Sequence, residues 1–208
     1  MDQIILFVKK SVEFLKIVWG TIQKPYQTFR SLSFTKPFNQ LFFIGLLILI
    51  YLLLSTFAKE GLTTNPFFLT KSIIKAGIAL SFTFLISATS IFLVGKLFGG
   101  IGYLSSLILL WAFSLLPTLS WFLLSTIFYV LIPPPRTMSV KGQIFSLLFL
   151  SFSLACFFWK GILYYLTLRI GLKLKATKIF LVSLVIFPLG ALYAFILLKL
   201  GIFSVPFI

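Results

Sequence analysis

Histidine is absent from this chain, cysteine occurs once, and carboxylates occur three times, as Asp2, Glu13 and Glu60. Each shortage removes a class of chemistry. A zinc site is built from Cys, His and carboxylate ligands, an aspartyl protease needs paired acids, and a serine nucleophile needs a neighbouring base. Without histidine or paired acids these sets cannot be assembled, so no catalytic, metal-binding or cofactor-binding residue is expected and an enzyme is not; a serine activated by Lys160 is the one remote alternative. The same shortage of acids weighs against proton- or sodium-coupled transport, which draws on carboxylates inside the membrane. Cys156 has no second cysteine to pair with and lies in an apolar run, where a lone thiol behaves as a small hydrophobe.

Apolar residues fill the space that these leave. Of 208 residues, 60% are hydrophobic and 10% charged, against about 45–50% and about 25% in soluble domains. A water-soluble fold of this length would leave large greasy patches on its surface, whereas a bilayer solvates them. The 18 Lys and Arg give a formal charge of +15, which in a soluble protein would suggest nucleic acid. Here they fall between the apolar runs, the pattern of loops held against anionic headgroups, so nucleic acid is not an expected partner and the lipid bilayer is.

Five stretches are long enough to cross a hydrocarbon core of about 30 Å. They cover residues 37–58, 76–95, 104–132, 143–168 and 179–198. The third is the longest, bounded by glycines at 99, 100 and 102 and by the prolines at 133–135, with Pro117 as the expected bend. Pro188 is expected to distort the fifth. Ahead of the first span, Ile4, Val8, Leu15 and Val18 share one side of a helix and Asp2, Lys9, Glu13 and Lys16 the other, which predicts an amphipathic helix on the membrane surface. Basic and acidic residues interrupt this segment, so it is expected to be retained rather than cleaved as a signal peptide. The polar stretch 20–36 follows as a juxtamembrane linker. The predicted fold is therefore an all-α polytopic transmembrane bundle, with residues 1–36 as surface helix and linker and 37–208 as the five-helix domain.

An inside amino terminus places 11 basic residues on the cytoplasmic side and six on the other, which favours that orientation and an outside or lumenal carboxyl terminus. Within the spans, Gly77, Ser81, Ala88 and Gly95 form a small-residue face suited to helix contact with another membrane protein or a second copy. The many Ser and Thr of the spans, such as Thr83, Ser87 and Ser153, are expected to bond to helix backbones or across to neighbours. Arg169, Lys173, Lys175 and Lys178 make a basic loop for anionic headgroups or an acidic partner. Lys160 is the one basic group embedded in a span, which makes it a functional candidate because burying its charge is costly; its long stem is expected to snorkel toward the headgroups beside Trp159. With the bends at Pro117 and Pro188, it could instead line a pore or permease path for a small solute.

Five short stretches carry a resemblance. They are Lys24-Pro25-Tyr26-Gln27-Thr28-Phe29, Leu97-Phe98-Gly99-Gly100-Ile101-Gly102, Ala112-Phe113-Ser114-Leu115-Leu116-Pro117, Leu174-Lys175-Ala176-Thr177-Lys178-Ile179-Phe180 and Phe187-Pro188-Leu189-Gly190-Ala191-Leu192-Tyr193. In this order and spacing, over about residues 20–200, the chain resembles the Yip-domain family of five-span membrane proteins, and in its short amino segment the compact prokaryotic members. The resemblance implies Pro25, Gly99, Gly100, Pro117, Lys178 and Pro188 as motif positions, an inside amino end, and a role in membrane organisation akin to vesicle transport. It implies the cytoplasmic membrane for a prokaryotic chain and Golgi or ER membranes for a eukaryotic one, with a Rab-type GTPase partner only in the eukaryotic case.

Overall fold

The computed structural model describes residues 2–34, 37–60, 66–131 and 140–199. Its elements are α1 (Asp2–Gln23), α2 (Pro25–Leu32), α3 (Pro37–Glu60), α4 (Pro66–Leu97), α5 (Leu104–Phe113), α6 (Leu116–Leu131), α7 (Val140–Leu166) and α8 (Ala176–Lys199). A π-helical turn, Thr167–Gly171, prolongs α7, and no strand occurs among the described residues. Five helical segments are long and apolar enough to cross a membrane: Asn39–Ala58, Ile73–Leu97, Leu104–Phe128, Gly142–Gly171 and Ala176–Lys199. The protein is thus an all-α, multi-pass integral membrane protein.

Helix α5 is the centre. Beyond Ser105 and Ser106 in its first turn it is apolar on every side, and a helix of that kind belongs inside: Leu107, Leu110 and Phe113 are fully buried. It is wrapped by α2, α3, α4 and the π-helical turn. Outside this centre α6 packs on α3 and α7, and α8 packs on α4. The outward faces stay apolar, with Phe82, Leu93, Phe158 and Leu184 exposed, which is the surface that lipid tails cover in place of protein.

The long third run is one bent span. Pro117 has no N–H to offer the carbonyl of Phe113, so the ladder breaks there. Ser114 and Leu115 form a tightened turn in which the Leu115 amide bonds to Ala112 O at 3.1 Å. α6 then restarts at Leu116, leaving Pro117 in a first turn, where its missing donor costs nothing. α3 lies along both halves. In the fifth span α8 continues as helix on both sides of Pro188, where the proline withholds one N–H from the carbonyl of Leu184 without ending the helix. The prolines at 133–135 lie outside the described residues.

Two stretches expected to be connections are helical. Residues 25–32, read as linker, form α2, whose Phe29 and Leu32 are at most 1% exposed while Tyr26, Gln27 and Arg30 face out. Two apolar residues one turn apart suffice to dock a short helix, although the average polarity of the segment conceals them. Likewise α4 starts at Pro66, ahead of the expected span at 76, with Lys71 and Lys75 exposed along its first turns. Helical hydrogen bonding does not stop where the apolar stretch does, and a proline at the first position is well suited to opening a helix.

Candidate functional sites: a basic corner and an intramembrane cavity

The corner between α4 and α5 and the corner between α7 and α8 meet backbone to backbone. Gly99 sits at φ 84°, in the left-handed region that favours glycine. The Gly100 amide then turns back to Gly95 O at 2.8 Å, and the Ile101 amide bonds to Leu172 O at 3.1 Å. A Cβ at Gly100 would lie 2.8 Å from Gly95 O, and one at Gly102 would overlap the carbonyl of Gly171. Lys173 adopts φ 56°, which turns the chain out of the π-helical turn toward α8. Two of the recognised sequence stretches, 97–102 and 174–180, are therefore adjacent in space, with Lys178 Nζ 2.8 Å from where a Cβ on Gly99 would stand.

The four basic residues expected to act as a cytoplasmic loop, Arg169, Lys173, Lys175 and Lys178, are all exposed at this corner. Arg169 is steadied by its bond to Tyr165 Oη at 2.9 Å. Sequence reasoning singled out Gly99, Gly100 and the lysines, but missed Gly171 and Leu172, whose only signal is their position directly before Lys173.

The amino-terminal segment is tied to the same bundle. The backbone of Lys24 (φ −137°, ψ 61°) separates α1 from α2, and Pro25 opens α2. Phe14 stacks on Phe43 with centroids 5.1 Å apart and approaches Phe113 at 6.0 Å. Farther along α1, Trp159 Nε1 donates to Thr21 O at 3.2 Å. Of the apolar residues expected to share one face of α1, Val18 packs on the core, whereas Ile4, Val8 and Leu15 remain exposed together with Trp19 and Ile22. The helix has a protein-facing stripe, a second apolar stripe and a charged one.

The small-residue face of α4 does not serve a single neighbour. Gly77 faces Leu52 of α3, Gly95 is packed against Leu172, Ala88 is buried, and Ser81 is exposed.

Lys160 turns inward instead of along its helix toward the headgroups. Its Nζ donates to Ser114 O at 2.9 Å and lies 4.7 Å from the centroid of the Trp111 ring. The bend before Pro117 explains this orientation. Ser114 caps the end of α5, where carbonyls lack helical partners and a cation is favourably placed. Trp111 is itself fixed, with Nε1 donating to Ser87 Oγ at 3.0 Å. Beside these groups, α4, α5, α7 and α8 enclose a cavity of ≈ 230 Å³. The remaining span hydroxyls bond as membrane hydroxyls usually do. Ser146, Ser151 and Ser153 return to carbonyls on α7, while Thr83 reaches Tyr193 on α8 at 3.0 Å. No group of three or more His, Cys, Asp or Glu that could hold a metal occurs among the described residues.

A scan against family models matches the Yip1 domain over residues 19–198. No significant match is found among curated proteins or among solved structures. The match begins within α1 and ends one residue short of the end of α8, so it takes in the docked α2, the glycine corner, the bend at Pro117 and the basic corner alike. The chain belongs to the Yip1 domain family.

Proposed function

We propose that this protein is a non-enzymatic membrane organiser, with its amino terminus in the cytoplasm, that gathers other membrane proteins or anionic lipids at its basic corner. The observation that carries this reading is the junction of Gly99–Gly102 with Gly171–Leu172, which holds four exposed cations, Arg169, Lys173, Lys175 and Lys178, on a rigid backbone. Clustered Lys and Arg beside a membrane contribute about 1 kcal/mol each toward an anionic surface. A rigid platform loses less entropy on binding than a flexible loop would. Family membership supports the trafficking-type setting, and the scarcity of acids and lack of histidine support a role without chemistry.

The test compares the native chain with a variant in which all four cations are exchanged for Gln. Both are isolated in mild detergent, and their co-purifying proteins and lipids are identified by mass spectrometry. The variant is expected to lose anionic lipid or a specific membrane protein. An identical set in the two preparations refutes the proposal. Reconstituted vesicles should also stay tight to small solutes, and selective flux abolished by Lys160→Leu would replace this reading with a pore.

A further inference from the structure

The cavity beside Lys160 has an unequal distribution of polarity. At its inner end stand the Lys160 ammonium and the Trp111 indole; Phe157, Ile186, Phe187 and Leu189 supply apolar wall. Phe157 is 53% exposed and Phe187 61%, so the cavity opens sideways between α7 and α8, on the face that lipid tails cover. At that opening these two helices meet through Tyr164, which touches Ser183 and Phe187. Gly161, also on the lining, has nothing within 4 Å of where a Cβ would stand, so the mouth is open there.

Charge is unbalanced in the same place. The chain's three acids lie at positions 2, 13 and 60, on α1 and at the end of α3, and none is among the described lining residues. An ammonium carries three donors and no acceptor. One is used on Ser114 O and one side rests on the Trp111 ring, and among the described residues no carboxylate faces the ammonium. A charge at this depth is stabilised by an anion that supplies both the counter-charge and an acceptor.

We propose that this cavity takes up a single-chain anionic amphiphile from the bilayer, its head group bound to Lys160 and its chain lying out between α7 and α8. A slender ligand fits the space: ≈ 230 Å³ falls below the range of about 300–1,000 Å³ usual for drug-sized ligands. Single-chain carboxylates and phosphate monoesters share the required chemistry. The site is separate from the basic corner, so its failure leaves the proposed function standing.

The test uses the purified full chain in detergent, with labelled oleate as probe and native mass spectrometry for stoichiometry. Oleate and oleyl phosphate should each bind one per chain, and the tighter of the two identifies the natural head group. Oleyl alcohol, with the same tail and no charge, should bind at least tenfold more weakly. Lys160→Gln should weaken oleate at least tenfold, and Gly161→Phe, at a lining position whose Cβ has open space around it, should abolish binding while the chain remains monodisperse. If Lys160→Gln does not fold, the Gly161→Phe result decides alone. Equal binding of oleate and oleyl alcohol, undiminished binding to Gly161→Phe, or displacement of oleate by an equal concentration of dioleoyl phosphatidylglycerol would each overturn the proposal.

Discussion

Replacing three glycines by alanine, one at a time, tests whether the corner junction is as tight as its geometry implies. At Gly45, on an exposed face of α3, an added Cβ meets nothing within 4 Å. Alanine there should stabilise the helix by about 1 kcal/mol, because glycine has the poorer helix propensity. At Gly95 the Cβ would strike a terminal methyl of Leu172. That methyl can rotate away, so the cost should be about 1 kcal/mol, the low end for overpacking. At Gly102 the obstruction is the Gly171 carbonyl, with Leu172 Cα at 2.7 Å, and backbone cannot rotate away. The cost there should reach about 3 kcal/mol, the high end of the same range. For a chain of this length 1 kcal/mol corresponds to about 2–4 °C in Tm. Gly102→Ala should therefore melt about 6–12 °C below the native chain, Gly95→Ala slightly below it, and Gly45→Ala slightly above it. Thermal challenge in detergent followed by size-exclusion chromatography of a fluorescent fusion reads all three. If Gly102→Ala melts within about 2 °C of Gly45→Ala, the two corners are not in backbone contact and the platform argument fails with them.

Phe113, fully buried where α5 ends, should cost about 3–5 kcal/mol when changed to Ala, and aggregation on gel filtration measures the loss. Trp159→Phe removes the bond to Thr21 O, worth about 1 kcal/mol. Trypsin cleavage at Lys16 should then speed up about fivefold while the rest of the bundle resists. In a Cys156→Ser background, thiols introduced by Lys24→Cys and Lys175→Cys should react with an impermeant reagent from the same side of sealed vesicles, and one from Lys71→Cys from the other; any other pattern refutes the assigned orientation.

The spans were legible in the sequence because lipid selects on composition alone: an uncharged run of about 20 residues has few alternatives to crossing the bilayer. The bend before Pro117 was equally readable, since a missing N–H has the same effect in any helix. At Pro188 the same missing N–H leaves α8 continuous, so the sequence alone does not say whether a proline ends a helix or is carried inside one. Helix α2 was hidden in a polar stretch, as Phe29 and Leu32 become a buried pair only when α5 and α7 are there to receive them. The orientation of Lys160 could not be read at all. Its partner, the Ser114 carbonyl, is a backbone atom on another helix and leaves no trace in side-chain patterns. The meeting of the two corners was half visible: the glycines and the lysines stood out separately, while the Ile101–Leu172 bond that joins them did not.

That bond also bears on how the protein is made. Ribosomes add about 5–20 residues each second, so the glycine corner leaves the ribosome several seconds before its acceptor at Leu172 exists. Through that interval the packing surface of α5 has no π-helical turn to cover it. Chains truncated before Leu172 lack this cover and should be removed by membrane quality-control proteases faster than chains truncated just after it.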